Sequence, residues 1–425
     1  MENDLVLEGR VVTPAGLVEC EVGVEDGVIT EVRKSGIKGS RRIRAPGSII
    51  FPGFIDLHVH LREPGWESKE DFRTGTLAAA HGGVTTVVDM PNNPVPANSA
   101  AVLDRKRGLA EAKSVVAVEF YAGVDSARLA DVKGSSAVAK AFKLFLSKTT
   151  GVGGFPEDRL GEALKAAALT GKGVSLHCED QEILDRAAER LKGAVRPDIH
   201  CDLRPPEAEV VAVRTALEAA KGVDSLHVNI CHASTSESVA LVTRAASAAS
   251  NSTCEATLHH LYFNRKAMFS DPRLATNPPL RTEDDRLALL NGLRDGKVSF
   301  LVTDHAPHLL EEKESGGHSG VPGLDDYGHV VSWLMRVHGF DPVRIAKVAS
   351  SGPAGFLGMK DRGAIAPGMR ADFSVLDLHS PEKVRQEDLK TKCAWSPYEG
   401  KEFPGRVRWT IVKGEAVLED YEVVA

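Results

Sequence analysis

Apolar residues along this chain fall into short runs of two textures. Near the start, residues 5–12, 21–24 and 28–32 read as short strands set between glycine turns. The same texture returns towards the end, in residues 371–377 and 407–417. Neither group is large enough to bury a core alone, so the two ends are expected to pair into one small β-sandwich domain.

Between the ends, apolar β-rich runs alternate with Ala-rich helical segments. The runs are the one leading into His58, then residues 85–89, 115–121, 142–146, 173–177, 227–231, 252–256 and 299–303. Apolar runs separated by helices predict strands buried on both faces, as in a parallel sheet covered by helices. Eight of them favour a closed (β/α)8 TIM barrel, an α/β fold, over an open doubly wound sheet. The predicted organisation is a small β domain built from residues 1–48 and 361–425, with the barrel in residues 49–360. No internal repeat is found, and the Ala/Ser-rich helix expected over 239–250 is the only segment approaching low complexity.

Composition narrows the class. The chain has 425 residues and a net charge of -7, with acidic and basic residues interspersed. There is no basic stripe and no RNA-type aromatic motif, so no nucleic-acid partner is expected. The first ten residues lack the basic-then-apolar order of a signal peptide, and no uncharged apolar run reaches the roughly 18 residues of a membrane helix. A cytoplasmic location is expected. Cys20, Cys178, Cys201, Cys231, Cys254 and Cys393 are thinly spread, with no CxxC pair, and read as reduced thiols.

In such barrels catalytic groups sit at the carboxyl ends of strands. Those positions hold His58 and His60 after the first strand, Lys143 in the fourth, His177 after the fifth, His232 after the sixth and Asp304 after the eighth. A lone His-x-His is weak, because neighbouring histidines are more often surface or core residues. Four of fifteen histidines on strand ends is specific, whereas His81, His200, His329, His338 and His379 fall elsewhere and read as ordinary. Four imidazoles, a carboxylate and a lysine suit two borderline divalent ions, most simply Zn2+, about 3.5 Å apart. An ammonium cannot ligate a cation. Lys143 is therefore either a structural cation beside a carboxylate or an amine carboxylated by CO2 into an anionic bridging carbamate, and chemistry alone does not choose.

Asp56-x-His58-x-His60 with Arg62-x-Pro64-Gly65, Lys143, His177-Cys-Glu-Asp180, His232 and Thr303-Asp-His-Ala-Pro-His308 resembles the amidohydrolase superfamily and, within it, the dihydroorotases. Met90-Pro-Asn-Asn93, Cys254-Glu-Ala-Thr-Leu-His-His260, Asn277-Pro-Pro-Leu-Arg281 and Gly363-Ala-Ile-Ala-Pro-Gly-Met-Arg-Ala-Asp372 extend the likeness over essentially the whole chain. The resemblance implies a metal-dependent cyclic amidohydrolase with two Zn2+ per chain, bridged by carboxylated Lys143 and a hydroxide. His58, His60 and Asp304 would serve one ion, His177 and His232 the other. Some bacterial relatives carry Asp at the bridging position; Ala141-Phe-Lys-Leu-Phe145 indicates the lysine form. The implied reaction is reversible hydrolysis of (S)-dihydroorotate to N-carbamoyl-L-aspartate in de novo pyrimidine (UMP) biosynthesis. Asp304 would carry the proton from nucleophile to leaving nitrogen.

The resemblance also assigns the substrate contacts. Arg62 can grip a carboxylate bidentately, Asn92, Asn277 and His308 match the family's other polar contacts, and Ser319 and Gly320 lie where the family offers backbone groups. Allantoinases and dihydropyrimidinase/hydantoinase-type relatives, the alternative reading, carry Asn or an acid in place of Arg62. Asp56 is expected to orient a ligand histidine rather than touch metal. Cys231 and Glu255 read as a buried thiol and a structural carboxylate, an extra ion being the alternative. The glycine-rich loop 147–155 is a candidate lid. A non-catalytic barrel scaffold is disfavoured because every ligand position is filled. The partner expected is the small-molecule substrate. The resemblance also admits a homodimer and an association with aspartate carbamoyltransferase, although no segment specifies an interface for either.

Overall fold

The computed structural model describes residues 3–248 and 251–425. Met1 and Glu2, part of the N-terminal run read above, and Ala249 and Ser250, the end of the expected 239–250 helix, lie outside the described residues. The chain opens with β1 (Asn3–Thr13), β2 (Gly16–Glu25), β3 (Val28–Arg33) and β4 (Gly39–Pro52). β1 pairs antiparallel with β2 and parallel with β4. The hydrophobic pattern did not predict β4, whose first half, Ser40-Arg-Arg-Ile-Arg44, carries three arginines. Cross-strand charge pairing takes the place of apolar contact there. Arg42 meets Glu8 at 3.1 Å and Glu21 at 2.8 Å, and Arg41 meets Glu419 at 2.8 Å.

The chain passes from this sheet into the barrel at Gly53. A Cβ at that point would lie 2.2 Å from Oγ1 of Thr85, so only glycine lets the two layers approach. The barrel strands are β5 (Phe54–Val59), β6 (Val84–Asp89), β7 (Ala117–Gly123), β8 (Ala141–Phe145), β9 (Val174–His177), β10 (His227–Ile230), β11 (Asn251–Thr257) and β12 (Phe300–Val302). They run parallel, each bonded to the next in sequence order, as the eight runs predicted. The remaining seam, between β12 and β5, is bridged just beyond the strand ends, where the His60 N–H donates to the His305 carbonyl at 2.8 Å. β7 starts two residues later than expected. Helix Ala100–Lys113 persists to Lys113, so the apolar pair Val115 and Val116 is spent on the connection.

After the barrel come β13 (Phe373–Asp377), the short pair β14 (Glu382–Lys383) and β15 (Glu402–Phe403), then β16 (Arg406–Val412), β17 (Glu415–Glu419) and β18 (Glu422–Val423). The run 407–417 is two strands, because Lys413 and Gly414 both take positive φ, 51° and 80°, and reverse the chain in a hairpin. β13 pairs with β4, and the two chain ends form one eight-stranded sheet ordered β18-β17-β16-β13-β4-β1-β2-β3. Its core of Leu5, Val22, Ile43, Val375, Trp409 and Ile411 draws on both ends, which is why neither end buries enough alone. Among the described residues no helix is long and apolar enough to cross a membrane, and all six cysteines are free and buried.

Candidate active site

The barrel's strand ends bring His58, His60, His177, His232 and Asp304 to the wall of one cavity. Arg62, Asn92, Asn277, Ser319 and Gly320 complete that wall. Three of these residues hold left-handed backbone, with φ of 63° at Arg62, 35° at His232 and 47° at Asp304. Such conformations are unfavourable for non-glycine residues and gather where a side chain must be aimed against local preference.

The imidazoles converge. Nδ1 of His177 lies 3.0 Å from Nε2 of His232, and Oδ1 of Asp304 lies 3.2 Å from Nε2 of His60 and 3.4 Å from Nε2 of His58. Burial holds His58 below the usual histidine range and His60 and His232 well below it, so these rings are neutral and their lone pairs are free to bind a cation. Burial pushes the Asp304 carboxyl up, against the opposing charge of Lys143. Ligand atoms of His58, His232 and Asp304 all lie within 4.8 Å of one another. Neutral nitrogens beside a carboxylate form a donor set that suits a borderline divalent ion.

A layer of buried partners aims the rings. Glu255 on β11 places Oε2 2.9 Å from Nδ1 of His58 and accepts from the His232 N–H at 3.2 Å. Its Oε1 accepts from Asn229 at 2.6 Å, Asn229 donates to Ser175 at 3.0 Å, and Ser175 meets the Tyr121 hydroxyl at 3.1 Å. This satisfied chain crosses the barrel from β7 to β5 beneath the histidines. Glu179 holds Nε2 of His177 at 2.9 Å and is itself held by Arg204, which keeps its carboxyl far below the ordinary range despite burial. Asn92 puts Oδ1 2.8 Å from Nδ1 of His60 and donates to the Thr150 carbonyl at 3.0 Å. Asp56 touches no ligand ring. It accepts from the His58 N–H at 3.1 Å and from the Thr303 hydroxyl at 2.5 Å, pinning β5 to the end of β12.

Lys143 is buried on β8, and its ammonium donates to Sγ of Cys231 at 2.7 Å. Among the described residues no carboxylate lies within 4 Å of it. His58, Cys231 and Glu255 also bring ligand atoms within 4.8 Å of one another, but burial pushes the Cys231 thiol up and keeps it protonated.

Arg62 is a buried cation without a carboxylate partner within 4 Å among the described residues. Its Nε donates to the Pro307 carbonyl at 3.1 Å, and one terminal nitrogen lies 3.4 Å from Nε2 of His308. Burial lowers its pKa to about 10, so it stays charged at neutral pH. His308 is not part of the cavity wall. It sits behind Arg62, fully buried, with Nδ1 3.2 Å from the Lys69 ammonium. Loop 147–155 turns over the cavity, where Thr149 and Val152 exchange backbone hydrogen bonds at 3.1 Å and Thr149 and Thr150 line the wall.

The reading of the sequence missed three contributors. Glu179 stands two residues after His177 and shares its side of the chain, a spacing that points to it in hindsight. Asn229 carries no motif. His200 lies 3.0 Å from Oδ1 of Asn277 and 3.4 Å from the Ser319 hydroxyl, yet nothing in its own segment links it to those loops.

A parallel barrel whose strand ends present neutral histidines and an aspartate around a polar cavity offers a donor set that could hold a divalent ion. The chain belongs to the amidohydrolase family, which it matches over residues 49–417. It is 37% identical to the dihydroorotase of Methanothermobacter thermautotrophicus, with 95% of this chain and 92% of the relative covered. It is 34% identical to that of Pyrococcus furiosus, over 99% of this chain and 94% of the relative. Among solved structures, an L-hydantoinase (dihydropyrimidinase) from Arthrobacter aurescens superposes with a TM-score of 0.96 at 25% identity, covering 100% of this chain and 98% of that one. A D-hydantoinase structure superposes with a TM-score of 0.92 at 25% identity, over 99% and 96% of the two chains. These likenesses make the protein a cyclic amide hydrolase.

Proposed function

We propose that this cyclic amide hydrolase is a dihydroorotase, interconverting (S)-dihydroorotate and N-carbamoyl-L-aspartate as a step of pyrimidine biosynthesis. The observation that carries the reading is Arg62. A buried, permanently charged guanidinium in a histidine-lined cavity, with no protein carboxylate within 4 Å among the described residues and only the longer-range charges of Asp304, Asp89 and Glu312 opposite it, favours an anion from the ligand. Dihydroorotate brings a carboxylate, whereas dihydrouracil and hydantoin do not. The curated relatives named dihydroorotase support the same choice over the hydantoinase reading suggested by the solved structures.

His58, His60 and Asp304 would hold one divalent ion and His177 with His232 the other. Carboxylated Lys143 would lie between them. An ammonium buried without a carboxylate within 4 Å is costly, and conversion to a carbamate removes that charge and supplies an anionic ligand. When bound, a zinc pair supplies Lewis acidity at the ring carbonyl and a nucleophile at neutral pH. Arg62 fixes the substrate carboxylate, so the ring amide is presented to the histidine cluster in one orientation. Asp304, its proton affinity raised by burial, takes the proton released by the attacking water and delivers it to the departing amide nitrogen. In the synthetic direction it takes that proton from the carbamoyl nitrogen as the ring C–N bond forms and returns it to the departing carboxyl oxygen, which leaves as water. Loop 147–155, with Thr149 and Thr150 over the cavity, would exclude bulk water during turnover.

The test is a spectrophotometric assay of dihydroorotate ring opening by the metal-loaded protein, with hydantoin, dihydrouracil and allantoin as competing substrates. Preferential turnover of dihydroorotate supports the proposal. Turnover of an uncharged ring with none of dihydroorotate would replace it by the hydantoinase reading.

A further inference from the structure

His200 lies on the short helix Ile199–Leu203, far in sequence from the segment it meets. Its Nε2 is 2.9 Å from the Thr276 carbonyl oxygen, 3.0 Å from Oδ1 of Asn277 and 3.4 Å from the Ser319 hydroxyl. A carbonyl can only accept, so Nε2 must carry a proton. Burial lowers the ring's pKa to about 4, which leaves it neutral at working pH with this one N–H shared between two acceptors. The arrangement decides how the Asn277 amide is turned. Reversing it would set Nδ2 against the Nε2–H, donor facing donor. Oδ1 therefore faces His200 and Nδ2 is left over. Among the described residues Nδ2 of Asn277 donates to no protein group, and Asn277 lines the cavity.

The two loops concerned are also tied to each other. The Gly320 N–H donates to the Ala275 carbonyl at 2.9 Å, and the Lys313 ammonium donates to the carbonyls of Ala275 and His318, each at 2.9 Å. These bonds join the loops that carry Asn277, Ser319 and Gly320, and His200 behind them selects a direction for a side-chain donor.

We propose that His200 is a positioning residue for substrate, holding the Asn277 amide so that Nδ2 donates to a ring carbonyl oxygen of a cyclic ureide. The inference rests on the cyclic amide hydrolase reading and deepens it. A ring carbonyl is common to charged and uncharged substrates, so His200 serves recognition of the ring, in contrast to Arg62, which serves recognition of the carboxylate.

The experiment is a double-mutant cycle in steady-state kinetics on the metal-loaded full chain, with dihydroorotate and with dihydrouracil. His200→Leu should raise KM about 5- to 50-fold, the effect of one misplaced hydrogen bond, and change kcat little. The increase should be similar for whichever of the two substrates the wild type turns over. His200→Gln, which keeps an N–H donor, should recover part of the loss. In an Asn277→Ala background, His200→Leu should add less than about twofold, because its partner is already gone. Asn277→Asp, which can still accept from His200 but cannot donate to substrate, should behave like Asn277→Ala, and it tests the idea even if His200→Leu fails to fold. Additive losses in the double variant, a fall in kcat with KM unchanged, or an unaffected Asn277→Asp would overturn the assignment. A wild type that turns over neither ring would instead sink the underlying reading, and the His200 proposal with it.

Discussion

The carboxylate of Glu255 lies 2.9 Å from Nδ1 of His58, the ring nitrogen turned away from Asp304. The same oxygen accepts from the backbone of His232, so one residue sets both the tautomer of one imidazole and the position of another. Glu255→Gln keeps the shape but loses the charge that fixes the His58 proton. Metal affinity is expected to fall about 10- to 100-fold, the usual effect of removing such a partner. Competition with a chromogenic chelator measures it directly, and an unchanged affinity would reduce Glu255 to a packing role.

Lys143→Ala should be nearly inactive while remaining folded, because on the proposed reading the variant would remove the anionic bridge and leave the barrel strand in place. Short carboxylates such as acetate or propionate should restore part of the rate by occupying the space. Wild-type activity in Lys143→Ala would make the lysine structural only.

Asp304→Asn should lower turnover by about 10² to 10⁴ with a much smaller effect on KM, since the amide fills the same volume but accepts no proton. Parallel zinc analysis separates lost proton transfer from lost metal. A variant with full metal and unchanged kcat would move the proton shuttle to another group.

His329, remote from the cavity, provides a test of stability. Burial alone would lower its pKa, but hydrogen bonds and charge from Asp326 and Glu382 outweigh burial and raise it to about 9. Glu382, 2.8 Å away, is held at about 2 by His329 and Arg406 despite its own burial. A raised histidine stabilises the fold fully below its unfolded value of roughly 6.5, and that contribution is lost as pH rises through 9. The depressed carboxyl works in the opposite sense, its contribution being lost as pH falls from about 4.5 through 2. The melting temperature should therefore decline between pH 7 and 9.5. In His329→Leu that slope should flatten, and stability near pH 6 should drop by about 3 to 5 kcal/mol, the effect of breaking a buried pair. Thermal melts across pH 6 to 10 decide the matter, and an unaltered slope in the variant would assign the titration elsewhere.

The barrel and the histidines that line its cavity were legible in the sequence because a fully buried parallel strand writes itself as an apolar run. A histidine at the end of such a run stands out. β4 was not legible: its first half is charged, and Arg41 and Arg42 find their partners on β1, β2 and β17, strands brought within reach only in three dimensions. Glu255 was read as a structural carboxylate, but the ring it supports was hidden for a related reason. Glu255 sits inside an apolar strand, where only the ring facing it from β5 reveals its purpose. His308 occupies a motif position yet lies behind Arg62, and no spacing rule distinguishes a residue in the wall from one that backs it. His200 was passed over because its partners, Thr276, Asn277 and Ser319, lie about 75 and 120 residues further along the chain.

The measurement that bears most directly on the proposed substrate is kcat/KM for dihydroorotate and for dihydrouracil or hydantoin, in the wild type and in Arg62→Gln. Among the described residues Arg62 has no carboxylate within 4 Å, so its charge is open to direct pairing with the ligand. The account predicts that the variant loses roughly 2 to 5 kcal/mol of transition-state stabilisation towards dihydroorotate, the penalty for truncating one partner of a buried, hydrogen-bonded charge pair. Use of the uncharged ring should change little or improve. Equal losses on both substrates, or a wild type that prefers the uncharged ring, would contradict it.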